Sequence, residues 1–272
     1  MKIRRVKVTT VIALVILVIV LLMAICPQLL ATYEPLEIDM QHKLEGPSAA
    51  HWLGTDEFGR DLWSRIVYGA RATLSVGFGA AGIALLLGVP LGLIAGYFGK
   101  TIDNVIMRIM DAFQSFPSFL LAILLITIFA PSVTTLIFTI SVVSFPIFAR
   151  IVRGNVLSLK NREFVEATRA FGAKSPYIMF RTILPNCISS ITVEFSLLAA
   201  TAMLIEAGMS FLGLGIQPPE PAWGSMLFYA NQYINQSITY IIVPTVTIFL
   251  VVLSVNLLGD AMRDWFDPMK LK

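Results

Sequence analysis

Histidine and cysteine are nearly missing from this chain, with two of each in 272 residues. His42 and His51 fall in the same early polar stretch. Neither Cys26 nor Cys187 has a histidine or second cysteine at ligand spacing, so no metal or redox role is assigned. The two cysteines sit at opposite ends of separate apolar blocks, about a bilayer apart, or roughly 30 Å, beyond the reach of a disulfide. Charge is scarce as well: 14% of residues are Asp, Glu, Lys or Arg, against about a quarter in soluble domains. There is no His-Glu-x-x-His helix and no nucleophile turn, so no catalytic residue is assigned and an enzymatic role lacks its chemistry. The nearest imitation of a nucleotide loop, Gly172-Ala173-Lys174-Ser175, lacks a glycine directly before the lysine and follows no strand. A basic groove interleaved with aromatics, the mark of nucleic-acid binding, is likewise missing.

What is present is apolar sequence: 57% of the residues are hydrophobic. Blocks run over 11–25, 72–97, 118–130, 133–149, 188–205 and 238–258. A helix needs about 20 residues to cross hydrocarbon, so the chain reads as an integral membrane protein in which the block from Ser118 is the shortest. Pro117 and Pro131 bracket that block, which either gains length from the residues before Pro117 or forms a re-entrant pair with the next. The basic N-terminus and the apolar run that follows imitate a secretory signal. The run is too long for one, however, and Ile25 before Cys26 makes a poor cleavage site, so it reads as a retained first span. Sixteen of the twenty basic residues fall on one side of the implied topology, including Lys2, Arg4, Arg5 and Lys7, seven from Arg150 to Arg181, and Arg263, Lys270 and Lys272. The remaining four, Lys43, Arg60, Arg65 and Arg71, share one early loop. Both termini are therefore expected to be cytoplasmic.

Between the fourth and fifth blocks lies EFVEATRAFGAKSPYIMFRTILPN, from Glu163 to Asn186. Asn161 is suited to cap a helix, Glu163 sits in its favourable first turn, and Gly172 supplies the left-handed residue that ends it after about three turns. Phe164, Ala167, Thr168 and Phe171 recur on one face, while Ser175 and Pro176 restart a second helix as cap and first residue. Taken alone, this pattern fits either a docking element or an amphipathic connector resting on lipid headgroups. The spacing of Glu166, Ala167, Gly172, Leu184 and Pro185 resembles the cytoplasmic loop of ATP-binding-cassette importer permeases. Thr168 stands where that family usually has alanine, and Thr182 where it has isoleucine.

Three further segments resemble the dipeptide, oligopeptide and nickel branch of that family. The first is HWLGTDEFGRDLWSRIVYGAR, from His51 to Arg71. Its carboxylates Asp56, Glu57 and Asp61 do not match a calcium loop and are interleaved with arginines, so turns followed by an interfacial helix are expected. The second, from Met209 to Leu227, contains Phe211, Gly213, Gly215 and Trp223. Its glycines and Pro218, Pro219 and Pro221 break the fifth span, giving a rigid outer turn or, as the resemblance implies, part of an outer gate or binding-protein contact. The third is the C-terminal stretch with Asn256, Gly259, Asp260, Arg263, Asp264, Asp267 and Pro268. Within the spans, Gly88, Gly92 and Gly96 make a smooth stripe for close helix packing, and Pro90, Pro146 and Pro244 are expected to kink their helices. Glu194 and Glu206 are pathway candidates that also lie close enough to span ends to reach the interface.

The resemblance covers nearly the whole chain and implies an all-α membrane protein with six transmembrane helices in the ABC type I importer permease fold. It divides the chain into a first span and outer loop (1–70), a transmembrane domain (71–260) carrying the coupling loop (150–187), and a cytoplasmic tail (261–272). It implies a permease for peptides, nickel or a similar small solute, multi-pass in a bacterial or archaeal cytoplasmic membrane. Its partners would be a homologous permease, two cytoplasmic ABC ATPases holding ATP and Mg, and an extracytoplasmic solute-binding protein, with no cofactor in this chain. The alternative is an ion-gradient-driven secondary transporter or channel, which calls for midplane charges and an inverted repeat, neither of which is evident.

Overall fold

The structure, a computed structural model, describes residues 7–266. Lys2, Arg4, Arg5, Asp267, Pro268, Lys270 and Lys272 lie outside the described residues. Helix α1 spans Val8–Ile25 and is almost wholly apolar, with a broad exposed face that includes Ile12, Val15, Ile19 and Leu22, as expected of a helix bordered by lipid. After a turn over Pro27–Leu30 the chain forms a compact loop up to Asp61.

Helix α2 then runs unbroken over Leu62–Phe98, 37 residues, capped by the Asp61 carboxylate accepting from the Ser64 backbone N–H at 2.8 Å. The expected interfacial helix and the second span are therefore one element: no proline separates the amphipathic turns after Asp61 from the apolar run, and Gly69 between them stays helical. At 1.5 Å per residue it is roughly 55 Å long. Gly99, at φ 65°, ends it.

The short third block forms α4 (Ser118–Phe129), preceded by α3 (Lys100–Gln114) across an 81° bend at Pro117. Helix α5 (Val133–Leu159) has 27 residues, enough to cross alone, so the two middle blocks are not a re-entrant pair. Among the described residues five helices are long and apolar enough to cross a membrane, and the bent pair makes a sixth if it crosses as one. Helix α6 covers Glu163–Ala170. A turn at Ser175–Tyr177 and a π-helical turn at Ile178–Ile183 then lead into α7 (Leu184–Phe211). Helices α8 (Trp223–Gln232) and α9 (Ile238–Phe266) complete the bundle. Pro90, Pro146 and Pro244 all lie inside continuous helices.

The expected glycine stripe builds the centre. A Cβ on Gly88 or Gly92 would press into the α5 backbone around Phe145 and Ala149, and one on Gly96 would lie 2.7 Å from Val156 Cβ. Helices α2 and α5 are thereby in backbone contact, and α7 packs on both of them. At the end of the bundle that carries α6, Arg153 holds Asp103 through two hydrogen bonds of 3.0 and 2.6 Å, Arg150 reaches Asp111 at 2.7 Å, and the Lys160 ammonium donates to the Gly96 carbonyl at 2.9 Å. The expected loop of 150–187 is helical at both ends. Residues 150–159 are the last turns of α5, and 178–187 are already helical.

The opposite end is closed by a knot of buried charge. Asp56 accepts from the Phe58 and Arg60 backbone N–H groups and from Arg60 Nε, and lies 3.3 Å from Arg65 Nε. Arg60 also donates to Glu57, which in turn accepts from the Tyr240 hydroxyl of α9. His51 and Asp61 meet at 3.0 Å. The expected neutralisation of carboxylates by interleaved arginines is therefore realised by Arg60 and Arg65, while Arg71 is exposed. By alternation of the helices, the start of α1 and the end of α9 share the α6 end, where Lys7 and Asp264 pair at 3.3 Å.

Candidate coupling loop, outer turn and membrane carboxylates

Helix α6 is a short helix at the edge of the bundle. Its N-cap is Arg162, without a side-chain cap, instead of Asn161, and its eight residues make about two turns rather than three. Glu163 and Glu166 occupy its first turn and Arg169 its last, so both ends suit the helix dipole. Gly172 has φ 81° and nothing within 4 Å of where a Cβ would stand, so its role is conformational and not spatial. The second helix begins one residue earlier than expected, with Lys174 as N-cap.

The helix is fixed to the bundle by Val165, which is fully buried, and it packs on the π-helical turn whose Ile178, Met179 and Ile183 are buried. Phe171 is 93% exposed and Phe164 41% exposed. Glu166, Ala167 and Gly172 share this open surface. Two shallow depressions flank the helix. One is lined by Leu159, Arg162, Glu163 and Phe164, and the other by Thr168, Phe171, Lys174 and Tyr177. Leu184 and the exposed Pro185 stand apart from α6, at the root of α7 just beyond the π turn. Val165 is the residue that the face-by-face reading missed. Its signal was a lone valine opposite two phenylalanines, and the aromatics outweighed it.

The outer turn divides. Phe211 ends α7 and Gly213 follows with φ 76°, both exposed. Gly215 is buried against Ser210, leaving no room for a side chain, and the Ile216 N–H donates to Ser210 Oγ at 3.3 Å. Trp223 is fully buried. Its indole N–H donates to the Ile66 carbonyl at 2.9 Å, and Gly69 makes room for the ring. Trp223 and Gly215 thus brace the turn from within, and only Phe211 and Gly213 of the four expected residues present surface.

The two carboxylates of α7 also part company. Glu206 is fully buried, accepting from Ser210 Oγ at 2.8 Å and from Thr73 Oγ1 of α2 at 3.3 Å, so it does not reach the interface. Glu194 is half-buried and has no hydrogen-bond or ion-pair partner among the described residues. No group of three or more potential metal ligands occurs among the described residues.

Residues 88–272 match the family described as binding-protein-dependent transport system inner membrane component. Over 258 residues the chain is 46% identical to the dipeptide transport system permease protein DppC of Alkalihalophilus pseudofirmus, covering 95% of this chain and 85% of that protein. It is 45% identical over 228 residues to the glutathione transport system permease protein GsiD of Pectobacterium atrosepticum, covering 84% and 75%. Among solved structures, a chain of the MetNI methionine ABC transporter in an inward-facing conformation superposes with a TM-score of 0.64 at 20% identity, over 76% of this chain and 97% of that one, which establishes a shared fold. The apolar helices, the short helix between α5 and α7 and these relatives agree: the chain belongs to the binding-protein-dependent transport system inner membrane components, a multi-pass inner-membrane permease subunit of a peptide-family ATP-binding-cassette importer that works with ATPase and solute-binding partners and is not itself an enzyme.

Proposed function

We propose that this chain pairs with a homologous permease to form the path for short peptides, and that each permease rests on one of two cytoplasmic ATPase subunits that hold ATP and Mg. The chain itself carries no cofactor in this reading, and both its termini are cytoplasmic. An extracytoplasmic solute-binding protein delivers the peptide to the outer face, where Phe211 and Gly213 are the accessible part of the contact or gate. Peptides are preferred to nickel because of the names carried by the relatives.

The observation that carries the reading is the contrast between α6 and its C-cap, where Val165 is fully buried and Phe171 is 93% exposed. An aromatic held in water on a helix anchored from its other side suits insertion into a partner's cleft, where burying a Phe is worth about 1.5–3 kcal/mol. Glu166 and Ala167 lie on the same exposed surface, and Gly172 sets the exit of the chain. Because α6 packs on the π turn at the root of α7, and Lys160 ties the end of α5 to α2, movement of the ATPase surface would shift several spans as one body. The mechanism is then alternating access, with closure of the ATPase pair turning the path outward.

The test is co-purification and uptake. Phe171→Ala and Glu166→Lys should leave the permease in the membrane while lowering recovery of the ATPase and peptide-stimulated hydrolysis at least tenfold. Unchanged ATPase recovery with both variants would make the loop a lipid-surface connector instead.

A further inference from the structure

Glu194 and Glu206 sit on one helix, twelve residues apart, and that step turns an α-helix by about three turns plus a third, so the two carboxylates point in different directions. Glu206 points into the subunit, where Ser210 and Thr73 satisfy it. Glu194 falls in a different line. Asn186, Ser190, Glu194, Leu197, Thr201, Leu204 and Phe211 follow one another at steps of three, four or seven residues, a single arc of about 100° on the helix. That arc is the side of α7 turned away from α2, α5, α8 and α9. Leu197, Thr201, Leu204 and Phe211 on it are exposed, whereas Ile191, Leu198, Ala199 and Met203 on the other side are buried.

Four of these seven positions are polar, and one is ionisable. Glu194 lies six residues into the apolar block 188–205, about 9 Å along the helix axis and hence inside the apolar layer. A lipid-facing carboxylate at that depth costs several kcal/mol, and such groups almost always face protein or water. No cation among the described residues lies within ion-pair distance of it. We infer that the open arc of α7 lines the translocation path and that Glu194 is a subsite for the ammonium group of the passing peptide.

The inference rests on the peptide-permease reading and adds to it the recognition chemistry. A peptide in water carries a cationic terminus, and a carboxylate left uncompensated by its own subunit attracts that charge once hydrocarbon walls lower the local dielectric. The neighbouring Leu197 and Leu204 give the moving peptide an apolar wall. Thr201, whose hydroxyl donates to the Leu197 carbonyl at 2.8 Å, offers a further acceptor on the same wall. A subsite of this kind favours passage only if it is weak, and a single carboxylate with no second acidic partner meets that condition.

The experiment uses the complete importer, with its binding protein, in proteoliposomes. Uptake of a free tripeptide is compared with uptake of the same tripeptide acetylated at its amino terminus, each at a concentration that saturates the binding protein. Glu194→Gln should lower uptake of the free peptide about tenfold and leave the acetylated peptide unchanged, so the preference for a free terminus falls by the same factor. The binding protein is common to both assays, so a changed ratio belongs to the permease. Equal loss for both peptides, or no change for either, overturns the subsite. In a Cys26→Ser, Cys187→Ala background, Glu194→Cys should react with a membrane-impermeant cationic thiol reagent and be protected by saturating peptide. An unreactive cysteine in every nucleotide state means that the arc faces lipid or a subunit seam and overturns the inference. ATP-driven uptake of neither peptide by the wild-type assembly would instead remove the peptide-permease reading on which it rests.

Discussion

Asp56 shows how much one residue carries at the outer end of the bundle. Its carboxylate gathers two backbone N–H groups, Arg60 and Arg65, all within a site closed to solvent. Arg65 Nε stands at ion-pair distance but is misaligned for a hydrogen bond to Asp56, and its Nη1 donates to the Pro35 carbonyl at 3.0 Å instead. Removing one member of such a cluster leaves the others buried and unpaired, which costs about 3–5 kcal/mol. Asp56→Ala should therefore lower the melting temperature of the purified subunit in detergent strongly, while Glu34→Ala, an exposed neighbour, should not. A second residue-scale expectation concerns the exposed pair Asp39 and His42, 2.7 Å apart. The hydrogen bond to Asp39 raises the His42 imidazole, and the reciprocal bond lowers the Asp39 carboxyl. The stabilisation from His42 is full below about pH 6.5 and fades as pH rises through its raised folded value. That from Asp39 is full above about pH 3.9 and fades as pH falls through its lowered folded value. The pair is thus most effective between these limits. An NMR titration should find His42 above its ordinary range, and Asp39→Asn should return it there.

At the scale of the element, the contact between α2 and α5 is the most exacting part of the molecule. Gly92→Val would drive a branched side chain into the α5 backbone at Ala149, a contact with no flexible atom to give way. Overpacking of this kind costs about 1–3 kcal/mol, and more where backbone must shift. The same helix contains a control, since a Cβ on Gly82 meets nothing within 4 Å. Gly82→Ala should be neutral or raise stability by up to about 1 kcal/mol. Thermal unfolding in detergent should separate the two variants clearly. The coupling loop makes a different demand, on conformation instead of space. Gly172→Val meets no neighbour but must adopt φ 81°, a cost of about 1–2 kcal/mol that falls on the loop alone. Its expected signature is weakened ATPase recovery with unchanged melting of the bundle, the reverse of Gly92→Val.

At the scale of the whole molecule, the alternation of helices puts the first and last described residues on the α6 end, with Lys7 paired to Asp264. An exposed pair of this type contributes less than about 1 kcal/mol, so the packing of α1 on α9 holds that arrangement. Reporter fusions after Lys160 should read as cytoplasmic, and fusions near Lys43 and Gln232 as external. An external signal at Lys160 would overturn the orientation argued from basic residues. The arginines counted for that argument have a second use, since Arg150 and Arg153 hold α3 through Asp111 and Asp103. Charge counting could not reveal this, because it registers the side of the membrane and not the partner.

Much of the architecture was legible because it depends on local chemistry. Apolar run length set the spans, glycine spacing marked the close helix face, and Gly172, Gly213 and the prolines after it marked where helices must stop. The importer reading itself rested on spacing, from Glu166 to Pro185, that survives in a single sequence. What remained illegible depends on which way a side chain points once distant helices meet. The lone Val165 anchors α6 while two phenylalanines stay outside, and Trp223 braces the outer turn from within. Asp56 and Glu57 read as polar loop residues until Arg60, Arg65 and Tyr240 close around them. Glu194 and Glu206 look alike in the sequence, as two carboxylates of one apolar run. Only the packing of α7 against α2, α5, α8 and α9 separates them, burying Glu206 between Ser210 and Thr73 and leaving Glu194 half-buried on the arc turned away from those four helices.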